Sequence, residues 1–189
     1  MKNIAIFASG RGTNTEKIIS HFQNNEGIKI ALIVSNKADA FVLKRAEKHK
    51  TPTLILKREE FYETENIVDE LNSYEIDLIV LAGFMWLVPA YLIRAFPDKM
   101  INIHPALLPK FGGKGMYGLH VHKAVLNAKE KETGITIHYV NEVYDEGKTI
   151  FQTRCTINKE DTPETLAEKV HQLEYEHYPI VIERLLSEE

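Results

Sequence analysis

In the first hundred residues, short apolar runs alternate with stretches of helical spacing, and that alternation restricts the chain to a small set of folds. The strand candidates are residues 3–8, 29–34, 53–56, 77–82 and 100–103. Helical patterns fill residues 13–24, 40–48 and 60–73, and a short helix is expected from Pro89. Ile4-Ala5-Ile6-Phe7 and Leu78-Ile79-Val80-Leu81 are apolar at every position, so neither face of these strands suits water. Strands of that kind are covered by helices on both sides. The expected fold class is therefore α/β, a Rossmann-like open, mostly parallel sheet with helices on both faces.

After Pro105 the pattern changes. Residues 107–118 are too rich in Gly and Pro for regular structure and read as a loop. A helix is expected over 120–131, followed by strands at 135–140 and 149–157. Their short connection, 141–148, suits an antiparallel hairpin at the sheet edge. The last helix opens with Asp161-Thr162-Pro163-Glu164, a cap residue followed by proline at the first helical position and an acid in the first turn. Pro179 is expected to kink or divide it. With 189 residues and neither repeat nor linker, residues 1–189 read as a single domain.

Charge then narrows the partners. Lys and Arg number 23 against 27 Asp and Glu, a net charge of −4, and no basic stripe is present. Affinity for a phosphate backbone rests on clustered positive charge, so no nucleic-acid partner is expected and small-molecule substrates are. The first apolar run stops at Ser9-Gly10, too short for a signal peptide or a membrane span, and the single Cys155 has no intrachain partner. No membrane partner and a cytoplasmic location are expected. Monomer and homodimer both remain open.

Three places could carry chemistry. Ser9-Gly10-Arg11-Gly12-Thr13-Asn14 lies between the first strand and the first helix, where free backbone N–H groups attract anions. The dinucleotide fingerprint fails at Thr15, and no Gly-Lys-Ser/Thr completes a P-loop. A mononucleotide or sugar-phosphate cradle remains, beside the plainer reading of a tight turn. Asn102 and His104 share one side of a strand end, so an amide donor and an imidazole converge as acyl transfer requires. Asp145, in the hairpin connection, would raise the imidazole pKa if it paired with His104, though spacing alone cannot bring the two together. A turn Asp before Gly147 is the alternative. His120, His122, His104 and His138 invite a zinc reading, but i, i+2 residues diverge on a helix, and no metal is expected.

Taken together these segments resemble the folate-dependent formyltransferase family. The matching stretches are residues 9–14, Ser35-Asn36-Lys37-Ala38-Asp39-Ala40, Leu81-Ala82-Gly83-Phe84-Met85, Asn102-Ile103-His104-Pro105-Ala106-Leu107-Leu108-Pro109, and His138-Tyr139-Val140 running on to Asp145. The Asn-x-His-Pro segment is shared across the family, while the phosphate loop and the Ser-Asn-Lys-Ala-Asp-Ala segment resemble the branch serving purine (IMP) biosynthesis. The resemblance implies the formyltransferase fold and a transfer from 10-formyltetrahydrofolate, as co-substrate, to the amine of 5′-phosphoribosylglycinamide (glycinamide ribonucleotide). It implies a catalytic trio of Asn102, protonated His104 and Asp145. Gly10, Arg11, Gly12, Thr13, Asn14 and Glu174 would hold the ribonucleotide. Met85, Trp86, Leu87, Val88, Asn102, Val140, Asn141, Glu142, Val143, Tyr144 and Asp145 would line the folate slot. Within the enzyme class the alternative is a formyltransferase or 10-formyltetrahydrofolate hydrolase acting on another acceptor, and outside it a folate- or nucleotide-binding module without turnover. Three departures stand out: Trp86 where an Arg is frequent, Thr64 where a basic residue is frequent, and a longer glycine-rich loop over 112–118.

Overall fold

The computed structural model describes residues 1–187. One seven-stranded sheet has the order β3-β2-β1-β4-β5-β6-β7. The strands β1 (Lys2–Phe7), β2 (Ile28–Ser35), β3 (Thr53–Ile55), β4 (Ile76–Leu81) and β5 (Met100–His104) pair in parallel. β6 (Glu132–Tyr139) and β7 (Thr149–Thr156) complete the edge as an antiparallel hairpin. The helices are α1 (Thr13–Phe22), α2 (Phe41–Lys48), α3 (Arg58–Glu63), α4 (Asn66–Ser73), α5 (Ala90–Ala95), α6 (Leu119–Asn127) and α7 (Pro163–Ser187).

The all-apolar strands behave as their composition requires. Alternate residues of β1 serve two separate cores: Ile4 and Ile6 pack with Ile18 of α1, Val42 of α2 and Val170 of α7, while Ala5 and Phe7 pack with Phe61, Leu71 and Leu92 of α3, α4 and α5. β4 divides in the same way, Leu78 and Val80 to one side, Ile79 and Leu81 to the other. Each such large side chain, fully buried, contributes about 1.5–3 kcal/mol, so the sheet is held from both faces.

Two expectations need correction. The helix expected over 60–73 is two helices, because Thr64 is extended (φ −129°, ψ 166°). Its hydroxyl donates to the Glu60 carbonyl (2.8 Å) and accepts from the Asn66 N–H (3.4 Å), closing α3 and opening α4. Pro179 does not divide the last helix, which runs unbroken from Pro163 to Ser187. Neighbouring Tyr178 is fully buried, and its hydroxyl donates to the Leu81 carbonyl at 2.9 Å, tying this stretch of α7 to β4. Tertiary packing there outweighs one missing helical hydrogen bond. Smaller shifts occur at 127 and 132, where α6 ends and β6 begins earlier than the sequence pattern indicates.

The chain steps outward from β1 to β2 and β3 on one side, then crosses back past β1 to lay β4 and β5 on the other. That reversal opens a crevice beyond the carboxyl ends of the parallel strands, where ligands of open α/β sheets bind. No helix among the described residues is long and apolar enough to cross a membrane.

Candidate active site

The crevice is a cleft of about 720 Å³, lined from residues 10–14 after β1, 81–88 after β4, 102–105 at the end of β5, 113–118, 138–145 and the face of α7. At one end the 9–12 turn feeds α1. Gly12 has φ +66°, and a Cβ on it would stand 2.5 Å from Val42 Cγ2, so both conformation and close approach demand glycine. Its carbonyl accepts from the Glu16 N–H (2.9 Å), which leaves the first N–H groups of α1 without helical partners and facing the cleft end. Gly10, Arg11, Gly12, Thr13 and Asn14 all line this end.

Glu174 reaches the same place from α7. It is 6% exposed, and Asn14 Nδ2 donates to its Oε2 at 2.8 Å. Burial pushes its carboxyl up to about 7, against the pull of that hydrogen bond. A carboxyl so placed can both donate to and accept from sugar hydroxyls near neutral pH. The folded protein holds the proton more tightly than the unfolded chain, so stability is highest below the ordinary carboxylate range and is lost as pH rises through 7. Glu174→Gln should keep the Asn14 hydrogen bond and raise stability at pH 8 by up to roughly 3 kcal/mol. At pH 4 it should change little. Thermal melts at the two pH values check this, and an equal effect at both would contradict it.

Two histidines not assigned to the ligand from sequence also line this end. His122, on α6, is 1% exposed with Nδ1 unpartnered; burial takes its pKa down to about 4. His171 stacks on Tyr175, and burial lowers its pKa as well. The available signal was spacing: 171, 174, 175 and 178 share one face of α7. No cluster of three or more metal-ligating side chains occurs among the described residues.

The centre of the cleft brings together what sequence spacing could not. The 141–148 connection folds back tightly because Gly147 lies against the Tyr139 carbonyl, leaving no room for a side chain. Asp145, at φ +59°, then reaches the end of β5: its Oδ2 lies 3.4 Å from His104 Nδ1 and accepts from the Gly113 N–H at 2.9 Å. Its Oδ1 lies 3.5 Å from Asn102 Nδ2 and 3.6 Å from His138 Nε2.

The partners assign the protons. His104 Nε2 is 2.8 Å from the Phe111 carbonyl, which only accepts, so Nε2 carries hydrogen and Nδ1 is the proton-exchanging atom. His138 Nδ1 donates to the Tyr139 carbonyl (2.9 Å), and its Nε2 lies 3.2 Å from Asn102 Nδ2. Turned the other way, the Asn102 carbonyl would face the Asp145 carboxylate. The observed orientation points Nδ2 at both His138 Nε2 and Asp145 Oδ1, the second contact long at 3.5 Å. The sequence places His138 in the family-like stretch running on to Asp145 and among the histidines of a zinc reading, but not with Asn102; that place follows from the antiparallel register Asn102↔His138.

The expected rise in the His104 pKa is corrected. Burial lowers it, and this outweighs the upward pull of Asp145 and of the Phe111 carbonyl. Burial also pushes the Asp145 carboxyl up, but His138, His104 and the Gly113 N–H bring it below the ordinary value. The resting pair is neutral imidazole beside carboxylate, in keeping with a 3.4 Å separation, longer than a charge-assisted hydrogen bond.

At the other end, Met85, Trp86, Leu87, Val88, Val140, Asn141, Val143 and Tyr144 line the slot. The Met85 N–H donates to the Ser9 hydroxyl at 2.8 Å, tying the turn after β4 to the turn after β1. Glu142, also expected there, is not among the lining residues and faces Arg94 at 3.8 Å. Trp86 packs against Phe61, Phe84 and Tyr62.

The family described as Formyl transferase matches residues 2–182. The chain is 38% identical over 192 residues to phosphoribosylglycinamide formyltransferase of Bacillus subtilis, covering 99% of this chain and 96% of that one. It is 40% identical over 195 residues to the chloroplastic phosphoribosylglycinamide formyltransferase of Arabidopsis thaliana, with 99% of this chain and 66% of that protein covered. The crystal structure of phosphoribosylglycinamide formyltransferase from Anaplasma phagocytophilum superposes with a TM-score of 0.90 at 33% identity, over 98% of this chain and 87% of that one.

Proposed function

The chain belongs to the formyl transferase family, and on that premise we propose that Asn102, His104 and Asp145 carry the transfer of a formyl group from 10-formyltetrahydrofolate to the amine of 5′-phosphoribosylglycinamide. The observation that carries the assignment is the convergence of these three side chains from two separate segments on the middle of one cleft. An anion-binding turn lies at one end of that cleft and an apolar slot at the other.

The turn at Gly12 and the N-terminus of α1 receive the phosphate, and Glu174 takes the ribose hydroxyls. This lays the glycinamide amine toward β5. Apolar walls from Leu87, Val88 and Val140 hold the pterin end of the donor, with its formyl group beside Asn102. Holding the two reactants in line removes much of the entropic barrier to their meeting.

As the amine nitrogen bonds to the formyl carbon, the carbonyl oxygen becomes an oxyanion, and the Asn102 N–H that makes the long 3.5 Å contact to Asp145 turns to donate to it. Neutral His104 accepts the proton of the attacking nitrogen at Nδ1. Asp145 stabilises the resulting imidazolium, which now adds its own N–H to the oxyanion's surroundings. His104 then gives the proton to N10 of the donor as the carbon–N10 bond breaks. The products are formylglycinamide ribonucleotide and tetrahydrofolate, with protons balanced.

Purified protein supplied with both substrates should release tetrahydrofolate and formylated ribonucleotide in equal amounts, followed by absorbance and by mass. Donor hydrolysis without ribonucleotide would contradict the reading.

A further inference from the structure

The machinery above leaves unused a cation at the open end of the slot. Arg58, the first residue of α3, is exposed, and its guanidinium lies 5.1 Å from the Tyr62 ring centre and 5.4 Å from that of Trp86. Both rings are fixed from behind. Tyr62 donates its hydroxyl to the Leu87 carbonyl (3.0 Å), and Trp86 packs on buried Phe61 and on Phe84. Trp86 lines the cleft together with Tyr144 of the 141–148 connection, so the shelf borders the slot itself.

The neighbouring cations are engaged. Lys57 pairs with Glu60 at 2.8 Å and Arg94 faces Glu142 at 3.8 Å, whereas no carboxylate lies within ion-pair distance of Arg58 among the described residues. A guanidinium held over an aromatic face keeps its N–H edge free. That edge matches a carboxylate bidentately, and stacking removes part of the entropy an exposed Arg would otherwise lose.

A donor with its pterin end among Leu87, Val88 and Val140 must send its aminobenzoyl-glutamyl end out through this mouth. That end is a flat ring followed by carboxylates, and the shelf is a pair of rings followed by an unpaired guanidinium. Resting on the function proposed above, we infer that Arg58, mounted on Tyr62 and Trp86, is the residue of this chain that receives the glutamyl carboxylate of the folate donor.

The test compares two donors, 10-formyltetrahydrofolate and its pteroyl analogue lacking the glutamyl residue. Arg58→Ala should raise KM for the first about tenfold, as loss of one charge-assisted contact predicts, and move KM for the second by less than about twofold. Arg58→Lys should recover only part of the loss, since an ammonium cannot stack or fork. Equal penalties on both donors, or none on either, would overturn the inference. Trp86 is the chain's one tryptophan, so quenching of its fluorescence by tetrahydrofolate and by tetrahydropteroate reads binding without turnover. Tail-dependent weakening in Arg58→Ala on a protein that transfers no formyl group would sustain the site and refute the reaction.

Discussion

His104→Ala should lower kcat by about 10²–10⁴-fold, the range that a positioned proton-transfer group contributes. The imidazole is 3% exposed at the end of β5 and is the group in this cluster whose Nδ1 can take a proton and return it. Its removal leaves the Phe111 carbonyl without a donor, a loss of about 1–3 kcal/mol if water does not replace it. The variant should therefore remain folded but melt at a lower temperature. The pH profile carries the sharper information. Because burial lowers the His104 pKa and the neutral form is the active one, wild-type kcat/KM should rise with pH to a plateau, its acid limb displaced below the ordinary histidine value. His104→Ala should lose that acid limb along with its activity. Turnover near the wild-type rate, or a limb that survives the substitution, would remove His104 from the mechanism.

Asp145→Asn should reduce kcat by about 10²–10³-fold while leaving KM for the ribonucleotide within a few-fold. The amide oxygen can still accept from the Gly113 N–H, so the loop contact at 2.9 Å persists. The negative charge beside His104 Nδ1 is lost, and the imidazolium formed during the reaction loses its stabilisation. Since the Asp145 charge raises the His104 pKa, any residual activity should show its acid limb displaced to still lower pH. An unshifted limb with normal kcat would mean that Asp145 serves only to pin the glycine-rich loop. The ribonucleotide end, built from α1 and α7, should be indifferent to the change.

Much of the site was legible because its pieces are local. Gly12, Thr13 and Asn14 form one turn, and Asn102 and His104 lie two residues apart on one strand, so chain geometry alone puts each group together. Other features needed pairing across the chain. His138 faces Asn102 only through the β5–β6 register, and Glu174 meets Asn14 only because α7 packs against α1. The direction of the His104 shift was misjudged for a related reason: a partner's charge can be guessed from composition, whereas the depth of burial cannot. Thr64 carried its own helix-breaking signal, a β-branched residue able to hydrogen-bond backward, which the apolar spacing of 60–73 concealed.

The sequence by itself determined the layered α/β architecture, since strands apolar on both faces tolerate no other surroundings. It also determined the anion-binding turn, whose glycine and N-terminal N–H groups are set by a few consecutive residues. Only the tertiary structure decided how residues 104 and 145 meet, which nitrogen of His104 exchanges its proton, and that the resting imidazole is neutral. Those properties depend on distance and dielectric between segments some forty residues apart, and neither quantity is encoded at any single position of the chain.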